Sequence, residues 1–93
     1  MASRTVISRI TGRVQGVGYR MWIFDEATRR GLNGWVRNCP DGSVEALLSG
    51  EAEAVTDLML FCYIGPSSAN VTSVVSDPSR EDPGKGFEVR NSV

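Results

Sequence analysis

Leu32-Asn33-Gly34-Trp35-Val36-Arg37-Asn38-Cys39-Pro40-Asp41-Gly42-Ser43-Val44-Glu45-Ala46-Leu47-Leu48-Ser49, near the middle of the chain, reads as two strands folded back on each other. Residues 32–38 and 43–49 supply the strands, and Cys39-Pro40-Asp41-Gly42 supplies the turn. An Asp-Gly ending is a strong hairpin signal: aspartate bonds its own backbone, and glycine accepts the positive φ of a tight reversal. The two strands are therefore expected to be antiparallel neighbours.

Reading towards the N-terminus, residues 19–30 mix Met21, Trp22, Ile23, Phe24 and Ala27 with Asp25, Glu26, Thr28, Arg29 and Arg30, and stop at Gly31. That pattern predicts a helix of about three turns. Residues 5–11, rich in β-branched side chains and bounded by Gly12, read as the first strand. On the other side of the hairpin, residues 51–63 draw Ala54, Val55, Leu58, Met59 and Cys62 into one stripe of a second helix, which Gly65-Pro66 ends. Residues 71–76 predict a fourth strand, residues 79–85 a polar loop, and residues 87–90 a short final strand near the sheet edge. The order is β-α-β-β-α-β with a small extra strand. It implies an α+β class, a ferredoxin-like α/β sandwich (βαββαβ) with two helices packed on one face of an antiparallel sheet.

A chain of 93 residues is expected to form a single domain over 1–93. Hydrophobic residues at 41% and charged residues at 23% exclude a disordered or fibrous class. The net charge of −1 argues against a partner held through nucleic-acid phosphates, which calls for a concentrated basic face. No apolar run approaches the length that spans a bilayer, and the N-terminal residues carry charges where a secretion signal would be apolar. No membrane partner, a cytoplasmic location and a monomer are the expectations. Cys39 and Cys62 are too few for a metal site, and two reduced thiols are favoured over a disulfide. Histidine is absent, which removes every Ser-His, Cys-His or histidine general-base chemistry. Any catalysis must work by position and charge.

Between the first strand and the first helix stands Gly12-Arg13-Val14-Gln15-Gly16-Val17-Gly18-Tyr19-Arg20. Glycine lets successive N–H groups converge on one point, and the helix N-terminus aims its unpaired N–H groups and positive dipole end at the same place. Arg20 adds a planar fork of donors suited to phosphoryl oxygens. A cation in a first helical turn opposes the helix dipole, so its position suggests that an anion sits beside it. The plain alternative is a tight strand-to-helix turn that needs glycine for geometry alone. The loop lacks the Gly-Lys-Ser/Thr ending of a nucleotide P-loop, and Met21 stands where a dinucleotide fingerprint would have its third glycine. Trp22, Phe24 and Trp35 are expected as core aromatics. Arg13 and Arg37 are expected as solvated strand charges, with Arg37 near enough to help steer an anion. Asp41, Glu45 and the acidic residues of the second helix read as solvated surface.

The loop, followed by Gly31-Leu32-Asn33-Gly34-Trp35-Val36-Arg37-Asn38 and Asp41-Gly42-Ser43-Val44-Glu45-Ala46, resembles the acylphosphatase family. The similarity continues through Gly65-Pro66-Ser67-Ser68-Ala69, Val71 and Gly86-Phe87-Glu88-Val89. The resemblance implies the same ferredoxin-like fold and the hydrolysis of small-molecule acyl phosphates to a carboxylate and inorganic phosphate, with no cofactor, metal or covalent intermediate. It implies that Arg20 and the backbone N–H groups of Gln15, Gly16, Val17, Gly18 and Tyr19 bind the phosphoryl group, and that Asn38 orients the attacking water. On spacing alone Asn38 is equally a turn residue. Tyr19 stands where the family often has phenylalanine, and its hydroxyl has no evident partner. Two rivals stand beside this reading: an RNA-gripping module of the same fold, disfavoured by strands poor in exposed aromatics and basic residues, and a carbamoyl-phosphate-handling domain of a larger maturation enzyme.

Overall fold

The computed structural model describes residues 2–91. In chain order its elements are β1 (Ser3–Arg13), α1 (Tyr19–Arg29), β2 (Asn33–Asn38), β3 (Val44–Glu51), α2 (Ala52–Phe61), β4 (Asn70–Pro78) and β5 (Phe87–Val89). The central hairpin forms as its turn residues predict, with β2 and β3 antiparallel from Asn33 opposite Ser49 to Asn38 opposite Val44. Strands β1 and β4 run longer than their β-branched cores suggest, because pairing with a neighbour recruits residues of low strand preference such as Ser3 and Pro78. The second helix is shorter than its stripe, since beyond the Cys62 cap Tyr63 and Ile64 tighten into bonds three residues back, such as Ile64 N–H to the Phe61 carbonyl.

The strands form a five-stranded sheet in the order β4-β1-β3-β2-β5. The first four are antiparallel, but β5 lies parallel to β2, so the sheet is mixed rather than wholly antiparallel. The reason lies in the connection from β4 to β5, which starts at one sheet edge and finishes at the other. It crosses the face that the helices leave open, where Glu81 accepts a hydrogen bond from the Trp35 indole N–H at 2.9 Å.

Strand alternation divides the sheet into two faces. Val6 and Ile10 of β1, Val36 of β2, and Val44, Ala46 and Leu48 of β3 pack against Ile23 and Ala27 of α1 and Val55 and Leu58 of α2. Each fully buried Ile, Leu or Val in this layer contributes about 1.5–3 kcal/mol. Arg30 ties the two helices on the outside through Glu26 and Asp57, and the Arg30 hydrogen bond holds the Glu26 carboxyl below its usual range. The opposite face carries Leu47 and Trp35 beneath a layer of ion pairs. Trp35 is thus buried as expected, but outside the helix-side core. Among the described residues no helix is long and apolar enough to cross a membrane.

This topology decides where strand ends meet. Strands β1 and β2 both run antiparallel to β3, so they point the same way, and β5 joins them by its parallel pairing. The C-terminal ends of three strands therefore share one end of the sheet.

Candidate active site

The glycine loop leaves β1 at that shared end. Gly12 belongs to the sheet: the β1–β4 register shifts between Thr11 and Gly12, and a Cβ there would come within 2.3 Å of the Asn70 carbonyl oxygen. Gly16 and Gly18 shape the loop itself, with φ of 72° and 81° in the left-handed region and open space around each. Gly18 is the N-cap of α1 and no side chain caps the helix, so its first N–H groups remain available to a ligand. No acidic residue occupies the first turn, and Arg20 stands in it.

Gln15 fastens this loop to the hairpin. Its side-chain amide donates to the carbonyls of Cys39 and Ser43, both at 2.8 Å, on either side of the Cys39–Ser43 turn. Asp41 organises the same turn by accepting from the Ser43 hydroxyl and backbone N–H, bonds that lower its carboxyl pKa. The glycine loop and the end of β2 are thereby held as one body.

A cleft of about 300 Å³ opens there, lined by Val14, Gly16, Gly18, Tyr19, Arg20, Met21, Asn38 and Val89. Two polar groups in it are incompletely matched. Arg20 donates one hydrogen bond from Nη1 to the Arg90 carbonyl at 2.9 Å, and among the described residues no carboxylate pairs with it. Asn38 Oδ1 is buried and has no hydrogen-bond partner among the described residues. An unmatched buried acceptor costs about 1–3 kcal/mol, a deficit that folds retain where a ligand supplies the missing donor.

Of the residues singled out from sequence, Gly16, Gly18, Tyr19, Arg20 and Asn38 line the cleft together. Gln15 serves the loop's shape through its side chain, and Val17 packs partly against the core, so only their backbones are candidates for a ligand. The Tyr19 ring turns inward and its hydroxyl donates to the Cys62 carbonyl at 2.6 Å. Burial raises its pKa far above the ordinary tyrosine value, so it stays a neutral donor. Cys39 and Cys62 are both free and buried, and burial pushes the Cys62 thiol up to about 12.

Arg37 departs from its expected steering role. Adjacent residues of a strand face opposite ways, so Arg37 lies across the sheet from Asn38. There it grips Glu45 at 2.6 Å and stacks on Trp35 at 4.7 Å from the ring centroid. Asp41 and Glu45 are likewise engaged rather than simply solvated, through Arg9 at 3.2 and 3.1 Å. Met21 and Val89, two apolar residues that line the cleft, are not among the site residues expected from sequence, because only the tertiary pairing of β5 brings Val89 there.

The acylphosphatase family model matches residues 6–89, a span that takes in the glycine loop, Arg20 and Asn38. The chain belongs to the acylphosphatase family. It is 53% identical over 73 residues to the acylphosphatase of Alcanivorax borkumensis, covering 78% of this chain and 79% of that one. It is 44% identical over 90 residues to the acylphosphatase of Rhodopseudomonas palustris, covering 90% and 91%. The solved acylphosphatase of Coxiella burnetii superposes with a TM-score of 0.91 at 30% identity, covering 95% of this chain and 93% of that one. Membership and these full-length likenesses establish an enzyme with acylphosphatase activity on a ferredoxin-like fold. Among the described residues no group of three or more Cys, Asp or Glu side chains is arranged to hold a metal ion.

Proposed function

We propose that acyl phosphate hydrolysis proceeds in the Arg20–Asn38 cleft, with Arg20 and the backbone N–H groups of residues 15–19 holding the phosphoryl oxygens and Asn38 orienting the water. The observation that carries this reading is the Asn38 Oδ1, buried without a partner among the described residues in the same cleft as the glycine loop and an arginine that no carboxylate of those residues pairs with. Oδ1 accepts a hydrogen bond from the attacking water, and the Asn38 NH₂ donates to a phosphoryl oxygen.

The reaction asks little else of the protein. Water attacks phosphorus, the bond from phosphorus to the acyl oxygen breaks, and the electron pair leaves with the carboxylate. One proton of the water passes to a phosphoryl oxygen, giving dihydrogen phosphate. A carboxylate leaves without needing a proton, so no general acid is required, and the chain has no histidine to serve as a base. Catalysis is then positioning plus neutralisation of charge spread over the equatorial oxygens of a loose transition state. Closely spaced backbone donors and a fixed guanidinium suit that demand.

Purified protein assayed with benzoyl phosphate tests the reading. Hydrolysis unchanged by a chelator and competitively inhibited by inorganic phosphate is expected. Turnover abolished by the chelator, or inhibition by phosphate that does not compete with substrate, contradicts it.

A further inference from the structure

We infer that Arg90 is a positioning residue that holds the Arg20 guanidinium at the cleft and is itself anchored across the sheet on Trp35. The inference rests on the phosphate-binding reading of Arg20. Arginine carries a long stem with many rotamers, and among the described residues the Arg20 guanidinium has one acceptor, the Arg90 carbonyl at 2.9 Å. That carbonyl is placed by its own residue: the Arg90 backbone N–H donates to the Val36 carbonyl at 2.8 Å, extending the parallel pairing one step beyond β5. Val36 is two residues from Asn38 on the same strand. One residue therefore joins the strand that carries Asn38 to the side chain of Arg20.

Strand β5 is only three residues long and lies at the sheet edge, where a ladder this short frays. The Arg90 side chain supplies what the ladder lacks. Its guanidinium stacks on Trp35 at 4.8 Å from the ring centroid, and Glu88 pairs with its Nε at 3.3 Å. The Trp35 ring is a firm support, 3% exposed and fixed on its other contacts by the Arg37 guanidinium and the Glu81 carboxylate. A stack of this kind, partly in water, shifts an equilibrium by about two- to fivefold. That is too little to decide folding and enough to govern how often a strand end holds its carbonyl in place.

The test compares Arg90→Ala, Arg90→Lys and Arg90→Pro with the unaltered chain, reading the inhibition constant of inorganic phosphate, KM for benzoyl phosphate and the thermal midpoint. Arg90→Ala is expected to raise the inhibition constant and KM together by about two- to fivefold, with the midpoint moved by a few degrees at most. Arg90→Lys, which keeps a cation for the ring, restores most of the loss. Arg90→Pro removes the N–H that reaches Val36 and is expected to raise both constants by about tenfold. Constants unchanged in both the Ala and Pro variants, or an Ala loss that Lys does not repair, overturn the inference. Arg20→Gln measured alongside separates the two levels. If it too leaves phosphate inhibition intact, the phosphate-binding reading fails and this inference with it; if it is severe while the Arg90 variants are normal, only this inference fails.

Discussion

The open face of the sheet and the cleft at its end use arginine in opposite ways. On the open face Arg9 is shared between Asp41 and Glu45, Arg37 grips Glu45, and Arg90 pairs with Glu88. In the cleft Arg20 has, among the described residues, a single carbonyl acceptor, and the Asn38 oxygen that lines the same cleft has no partner among them. A guanidinium matched by carboxylates has little left to offer a ligand, whereas one held only by a neutral acceptor keeps its charge and most of its five donors. Electrostatic satisfaction accompanies the structural positions here, and its absence accompanies the proposed site.

The largest expected effect comes from the unmatched arginine. Arg20→Gln should cost about 3 kcal/mol or more in kcat/KM, by the size of a lost oxyanion donor, with phosphate inhibition lost as well. Near-normal turnover with phosphate still bound would mean that the cleft is not where the charge is needed. Asn38→Ala comes next. It should lower kcat by about a hundredfold while the inhibition constant of phosphate changes far less, because its proposed partner is the water. Equal losses in both quantities would make Asn38 a binding or folding residue.

Tyr19→Phe sharpens the comparison from the side of stability. Removing the donor to the Cys62 carbonyl should cost about 1–2 kcal/mol with little change in kcat/KM. Its pH dependence has a definite sign. A tyrosine whose folded pKa is raised by burial adds stability that is complete below its ordinary value near 10 and fades as pH climbs past it. The stability gap between the unaltered chain and Tyr19→Phe should therefore narrow above about pH 10 in denaturant titrations; a gap that widens there would place the hydroxyl elsewhere. The smallest effect belongs to the matched arginine. Arg9→Ala should lose about 0.2–1 kcal/mol of stability and leave kcat/KM within about twofold. A large catalytic loss would erase the distinction between the two kinds of site.

Much of this was legible in the order of residues because the signals are local. The Asp41-Gly42 turn, the apolar stripe of α2 and the glycines before Tyr19 each act within a few residues, where turn geometry and helix periodicity operate. Arg20 drew attention because it opposes the dipole of its own helix, and the absence of histidine narrowed the chemistry before any contact was known. The role of Asn38 needed the family resemblance, since an asparagine before a turn is ordinary on its own.

What the chain alone could not disclose are relations between distant residues. The parallel placement of β5, the engagement of Arg37 on the far face, the Tyr19 bond to Cys62 and the reach of Arg90 to Arg20 all join segments far apart in sequence. The amino-acid order by itself determined the elements, the tight turns and the kind of anion chemistry available, because propensity and charge are properties of neighbours. Only the tertiary structure decided which arginine is left without a carboxylate among the described residues and which carboxamide shares its cleft. Strand direction and side-chain alternation, set by the whole sheet, choose the face and the end on which each group emerges.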